Sequence, residues 1–133
     1  MLRRNFVSDN ISAMYSVMLK SKLHLARITE VKPDYEGSLT IDRDLMDAVK
    51  LLPYEKILVS NMENTNRFET YVIPAKPGSR TICLNGPAAR LGSIGDRLVI
   101  LAFSLVLTDE ARNHRPLILV LDKDNKPAPT RSQ

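Results

Sequence analysis

Leu98-Val99-Ile100-Leu101-Ala102-Phe103-Ser104-Leu105-Val106-Leu107 is the longest apolar run in the chain, and its reading decides the fold. A helix needs about 20 apolar residues to cross a bilayer. This run is much shorter and contains Ser104. It reads as a strand buried on both faces, and so does the run from Leu117 to Leu121. Working outward, Leu23, Leu25 and the run Ile28 to Val31 predict one strand. Ser38 to Ile41 and Lys56 to Ser60 predict two more. Arg67 to Ile73 alternates, with Phe68, Thr70 and Val72 on one side. Arg80 to Leu84 adds a further short strand. Turn residues separate these runs at 62–66, 76–79, 93–96 and 122–126. Two short helices fit the gaps. Residues 43–52 place Leu45, Val49 and Leu52 on one face, with Asp42 as N-cap and Pro53 as the stop. Gly86-Pro87-Ala88-Ala89-Arg90 forms the other, with proline at its first position. So many short strands in a small chain predict a mainly β fold that closes into a small barrel of six to seven strands, with two or three short helices.

The 133 residues suffice for one domain with one core. A hydrophobic share of 44% and a charged share of 26% exclude wholesale disorder. The 19 basic and 15 acidic side chains leave a net charge of +4, spread along the chain, which does not argue for a nucleic-acid partner. Cys83 is the sole cysteine, so an intrachain disulfide and a multi-cysteine metal site are both excluded. His24 and His114 are too few and too scattered for a usual zinc site, and no metal is expected. Residues 1–13 lack a clear period. They read as an extension outside the core, or as the product of a start codon assigned too early, because Met14 opens a more domain-like segment. The domain spans 14–126, and the Pro-rich residues 127–133 read as a flexible tail. MLRRNFVSDNIS holds no apolar signal region, so the expected location is cytoplasmic, with no membrane partner.

Tyr35-Glu36-Gly37-Ser38 lies between two strand-like runs. By composition it is an ordinary surface turn, and Gly78-Ser79 and Gly92-Ser93 have the same dipeptide. Gly-Ser nevertheless allows a specific reaction. A serine hydroxyl can attack the carbonyl before it and convert the amide to an ester. Glycine has no Cβ to block the attack and reaches backbone angles closed to other residues. Strain in such a turn would raise the amide toward the ester. Elimination from the ester would then break the chain and leave a dehydroalanine that hydrolyses to a pyruvoyl group.

Met18-Leu19-Lys20-Ser21-Lys22-Leu23-His24 precedes this pair. Arg67-Phe68-Glu69-Thr70-Tyr71 follows it, then Pro77-Gly78-Ser79-Arg80, Asn85-Gly86-Pro87-Ala88-Ala89 and Gly95-Asp96. Taken in this order and spacing, about residues 14–126 closely resemble the pyruvoyl-dependent aspartate 1-decarboxylase family. The ordered set is far more specific than any single motif.

The resemblance implies a double-psi β-barrel made as an inactive proenzyme. Cleavage between Gly37 and Ser38 would give a β chain of residues 1–37 and an α chain of residues 38–133. Ser38 would become the covalent pyruvoyl group, with no pyridoxal phosphate and no metal. The implied reaction converts L-aspartate to β-alanine and CO2 for pantothenate and coenzyme A biosynthesis. It proceeds through a Schiff base, in a tetramer of cleaved pairs whose sites lie between neighbouring subunits. An accessory maturation factor is a further possible partner.

By the same resemblance Tyr71 is the proton donor, a role open to a phenol still protonated at neutral pH. Arg67 holds a substrate carboxylate through paired hydrogen bonds. Lys22 binds a substrate carboxylate near the pyruvoyl group, with His24 supporting it from the same strand face. Thr70 acts in cleavage and substrate contact. Asn85 orients the intermediate, Gly86, Pro87 and Ala88 line the substrate, and Tyr35 has a supporting role.

Without the resemblance, the plainer readings are a barrel aromatic for Tyr71, a solvated strand-end cation for Arg67, a surface charge for Lys22 and a packed histidine for His24. Thr70 and Tyr71 are adjacent, so in an ideal strand they point to opposite faces. Two departures from the family pattern stand out. Pro87 replaces a common alanine and brings no N–H, and Arg90 replaces a common histidine. The rival readings are an uncleaved barrel that binds nucleic acid or serves as a regulatory interaction module, and a pyruvoyl decarboxylase for another acidic amino acid. Few aromatics and no Trp are available for base stacking.

Overall fold

The computed structural model describes residues 13–129. Residues 1–12 and 130–133, which hold most of the expected extension and part of the expected tail, lie outside the described residues. The described residues fold as eight strands: β1 (Tyr15–Arg27), β2 (Glu30–Lys32), β3 (Ser38–Asp42), β4 (Lys56–Asn61), β5 (Arg67–Ala75), β6 (Ile82–Asn85), β7 (Arg97–Leu107) and β8 (Leu117–Val120). Two short helices, α1 (Arg43–Ala48) and α2 (Thr108–Ala111), and a 3-10 turn over Gly86–Arg90 complete it. Mainly β with a few short helices is the expected class. The strand count is eight rather than six to seven, because the three-residue β2 and four-residue β8 also form ladders.

The strands follow the order β2-β6-β3-β5-β4-β7-β1-β8. The arrangement is consistent with a small barrel around a single core in which Leu23, Leu39, Ile57, Val72, Leu84 and Ile100 are all buried. The expected strand from Leu23 to Val31 is in fact two. Leu25 takes a φ of 68° and sits at a bulge against β7. Such a bulge bends a strand. The chain then leaves β7, Thr29 N–H donates to the Ile82 carbonyl at 2.8 Å, and β2 pairs in parallel with β6. This crossing brings the 33–37 loop to the edge of β6.

The helix expected over 43–52 begins where predicted and ends early. Asp42 caps it, accepting from Asp44 N–H at 2.8 Å. Lys50, at φ 58°, donates to the Asp47 carbonyl, while Leu51 N–H reaches back to the Met46 carbonyl. These two bonds form a Schellman closure, which stops the helix before Pro53 has any effect.

The reading of β7 and β8 as buried on both faces needs correction. Leu98, Ile100 and Ala102 are buried, but Leu105 is 68% exposed, as is its β1 partner Val17. Phe103, Leu117 and Ile118 are also exposed. Sequence apolarity did not distinguish a core strand from an apolar face left open on one chain.

Candidate active site

β3 begins at Ser38, so the Gly37–Ser38 peptide lies where the 33–37 loop enters the sheet. On one side Ser38 pairs directly with Asn85 of β6. On the other, β3 and β5 run parallel from Leu39 opposite Val72. One residue upstream of that pair lie Ser38 and Tyr71. Leu39, Leu84 and Val72 align across the two ladders and all enter the core. Side chains alternate along strands, so Ser38, Thr40, Cys83, Asn85 and Tyr71 share the other face.

That face is closed over Ser38. Ser38 is 1%, Cys83 2% and Asn85 4% exposed. Gly86 makes this closure possible. It has φ +63°, and a Cβ there would stand 2.6 Å from the Tyr35 carbonyl oxygen and 2.8 Å from Gly37 N. Only glycine accepts both that angle and that approach. The 3-10 turn opens on Gly86, so Pro87 takes its second position rather than the expected first, and a Cβ on Gly37 would meet the proline ring at 3.7 Å, an ordinary contact. Ala88 is buried behind it.

Inside this cover the Asn85 side-chain amide is fully engaged. Its Nδ2 donates to Ser38 Oγ at 2.8 Å and to Thr40 Oγ1 at 2.8 Å. Its Oδ1 accepts from the Cys83 thiol, with Sγ at 3.3 Å. Burial pushes the Cys83 thiol's pKa up, so it keeps its proton and remains a donor. Ser38 has φ 157°, close to extended backbone. A donor aimed at Oγ fixes the hydroxyl's position and stabilises negative charge that develops there.

The remaining candidates divide by face and by strand. Tyr71 is half-buried, on the face of Arg67 and Glu69, with its ring centroid 6.3 Å from that of Tyr54. Arg67 is exposed at the head of β5. Thr70 lies on the inward side with Phe68 and Val72, opposite buried Ile57 of β4. Tyr35 is exposed, and the Lys32 ammonium sits 4.7 Å from its ring centroid. Lys22 and His24 occupy β1 on either side of buried Leu23, so they share the outward face. The His24 pKa is lowered by burial first and by the Lys22 charge second. Its Nδ1 is buried with no hydrogen-bond partner among the described residues. Three strands, β5, β4 and β7, separate β1 from β3 in the sheet order. Within one chain the structure therefore brings Asn85, Gly86 and Tyr71 to Ser38, but groups Lys22 and His24 elsewhere along the sheet.

Comparison with known proteins identifies the family. The aspartate decarboxylase family model matches residues 14–128. The chain belongs to the aspartate decarboxylase family. An aspartate 1-decarboxylase of Salinibacter ruber is 50% identical over 115 residues, covering 86% of this chain and 79% of its own length. One from Bacillus subtilis is 49% identical over 113 residues, covering 85% of this chain and 89% of its own. One from Dehalococcoides mccartyi is 50% identical over 109 residues, covering 82% and 88%. The match takes in every candidate residue from Lys22 to Ala88.

Two residues that the structure places against the Asn85 amide escaped the sequence reading. Cys83 counted there only toward excluding a disulfide and a multi-cysteine metal site, and Thr40 was not singled out. The available signal was strand alternation: Cys83 precedes Asn85 by two, and Thr40 follows Ser38 by two, so each pair shares a face.

Proposed function

We propose that this chain matures by cutting its own backbone between Gly37 and Ser38, and then decarboxylates L-aspartate to β-alanine and CO2 in pantothenate biosynthesis. The observation that carries the reading is a buried serine directly after glycine, its hydroxyl held by the Asn85 amide at 2.8 Å, in a chain about half identical to aspartate 1-decarboxylases.

In the first step Ser38 Oγ bonds to the Gly37 carbonyl carbon. The Gly37–Ser38 C–N bond breaks, and the hydroxyl proton passes to the Ser38 nitrogen, giving an ester. Loss of the Ser38 Cα proton then breaks the Cβ–O bond and releases the Gly37 carboxylate, with residues 1–37 as the β chain. The dehydroalanine left on residues 38–133 takes up water and loses ammonia. The closed cover keeps bulk water from the ester while it forms.

The chain supplies the precursor that a pyruvoyl group requires, and the buried polar face around Ser38 fits it. When formed, the group provides a carbonyl that draws electrons from the substrate's α-carbon as CO2 leaves. Tyr71, on the face of Ser38, holds the proton to be returned to that carbon. Arg67 grips a substrate carboxylate through two parallel hydrogen bonds. Gly86, Pro87 and Ala88 line the substrate with backbone. Pro87 has no N–H, so contacts at that point use its carbonyl or a neighbouring N–H. Asn85 orients the reacting groups. Thr70 serves cleavage and substrate contact, reaching the site through strand twist or from another copy.

Lys22 and His24 complete the site from a neighbouring subunit in a tetramer of cleaved pairs. The unpartnered His24 Nδ1 and the exposed apolar face of β1, β7 and β8 support that assembly. The test is release of CO2 from L-aspartate by purified protein, with and without a carbonyl reagent such as phenylhydrazine. Release that the reagent abolishes is expected. Release that the reagent leaves untouched contradicts the pyruvoyl reading.

A further inference from the structure

Cys83 is buried, makes no disulfide and takes no part in the mechanism above, yet its thiol faces the amide that holds the reacting serine. A side-chain amide can stand either way round. With Oδ1 toward Ser38 it would accept from the hydroxyl, and with Nδ2 toward Ser38 it donates. What surrounds the amide decides between the two. The Thr40 and Ser38 hydroxyls can each donate or accept a hydrogen bond, so neither fixes the amide alone. The thiol breaks the tie. A protonated S–H is a donor with a single hydrogen to give, and its sulfur lies nearer Asn85 Oδ1, at 3.3 Å, than the Leu84 carbonyl oxygen, at 3.9 Å. Against a thiol donor the amide must present oxygen, which turns both Nδ2 hydrogens toward Ser38 and Thr40.

We propose that Cys83 is a positioning residue for backbone cleavage: its thiol, with Thr40, locks the Asn85 amide so that N–H rather than C=O meets Ser38 Oγ. The inference deepens the cleavage reading and rests on it. Cys83 acts through Asn85 and touches neither the scissile carbonyl nor substrate. The requirement is for a hydrogen-bond donor at this position rather than for sulfur.

The test follows conversion of freshly purified full-length precursor by intact mass, in wild type, Cys83→Ser, Cys83→Ala and Thr40→Val. Serine retains a donor, alanine removes it, and valine removes the second anchor at nearly constant shape. Losing one such hydrogen bond slows cleavage by about fivefold to tenfold. Cys83→Ser should cleave near the wild-type rate, while Cys83→Ala and Thr40→Val should be slowed. A residue serving only as a small apolar filler gives the reverse order, because alanine suits a buried apolar site better than serine. Alanine matching or outrunning serine overturns the proposal.

One measurement needs no change at Cys83. It is the sole cysteine, so the S–H stretching band of the uncut Ser38→Ala precursor reports this thiol alone. A band shifted down from that of an unbonded thiol, and returning toward it in Ser38→Ala/Asn85→Ala, is expected. A band at the unbonded position from the start overturns the proposal even if Cys83→Ala fails to fold. Wild-type chain that never cleaves, even with the band shifted, overturns the cleavage reading, and this inference with it. Wild-type cleavage unchanged by Cys83→Ala removes the inference alone.

Discussion

Tyr71 carries the clearest division of labour at the residue scale. It shares Ser38's face, but the Ser38 hydroxyl is held by Asn85. Tyr71→Phe should therefore still cut after Gly37, while turnover of aspartate falls by about 100-fold or more, the usual contribution of a positioned acid. Electrophoresis reads the first outcome and CO2 release the second. Normal turnover would remove the proton-donor role.

His24 gives a pH signature of its own. Burial, and secondarily Lys22, lower its pKa in the folded chain. The unfolded chain therefore binds the proton more readily, and stability is fully present above the unfolded value of about 6.5. It is lost as pH falls from there toward the lower folded value. Melting temperature should drop between about pH 7 and 5, and His24→Gln should flatten that drop. Glu63 and Asp122, whose pKa values are also lowered, act in the more acid carboxylate range. An unchanged slope in His24→Gln would contradict the assignment.

At the element scale, Asp42 joins three segments. Its carboxylate accepts from Asp44 N–H at 2.8 Å, capping α1, from Gly78 N–H at 3.0 Å and from Arg80 N–H at 2.8 Å. It is fully buried. Asp42→Ala strands these donors and should cost about 2–4 kcal/mol, read by denaturant unfolding. A loss no larger than that of an exposed cap would show that the 76–80 turn finds other acceptors. The cap was legible because Asp before an apolar periodic run is a start signal. The 78 and 80 contacts were not, since they join residues 36 and 38 positions apart.

The same limit governs other elements. The alternation of Arg67 to Ile73 gave β5 its correct faces, and Asn85 followed from an ordered motif set. The end of α1 depended on Lys50 adopting a left-handed angle, which a lysine does not advertise. The break of the Leu23–Val31 run depended on ladders with β6 and β7 that no local window contains. Cys83 shows the same beside Asn85: its contact follows from alternation once β6 is known, but residue type alone raised only disulfide and metal chemistry, and a single cysteine excluded both.

At the scale of the whole molecule, the candidate residues are divided between two regions of the sheet. Ser38, Asn85 and Tyr71 gather at the β6-β3-β5 end of the sheet order, while Lys22 and His24 lie toward the β7-β1-β8 end. If neighbouring copies complete each other's sites, Ser38→Ala and Lys22→Ala chains should each be inactive alone and should regain part of the activity when co-expressed as mixed tetramers. Activity no greater than the sum of the two separate variants would contradict shared sites. The open apolar face of Val17, Phe103 and Leu105 is the surface such an assembly would cover.

All of this depends on the fate of one peptide bond, and intact mass measurement of the purified, matured protein tests it most directly. The predicted result is two fragments, residues 1–37 and 38–133, the larger with a ketone in place of its amino terminus. A single uncut chain of 133 residues, correctly folded and releasing no CO2 from aspartate, would contradict the account.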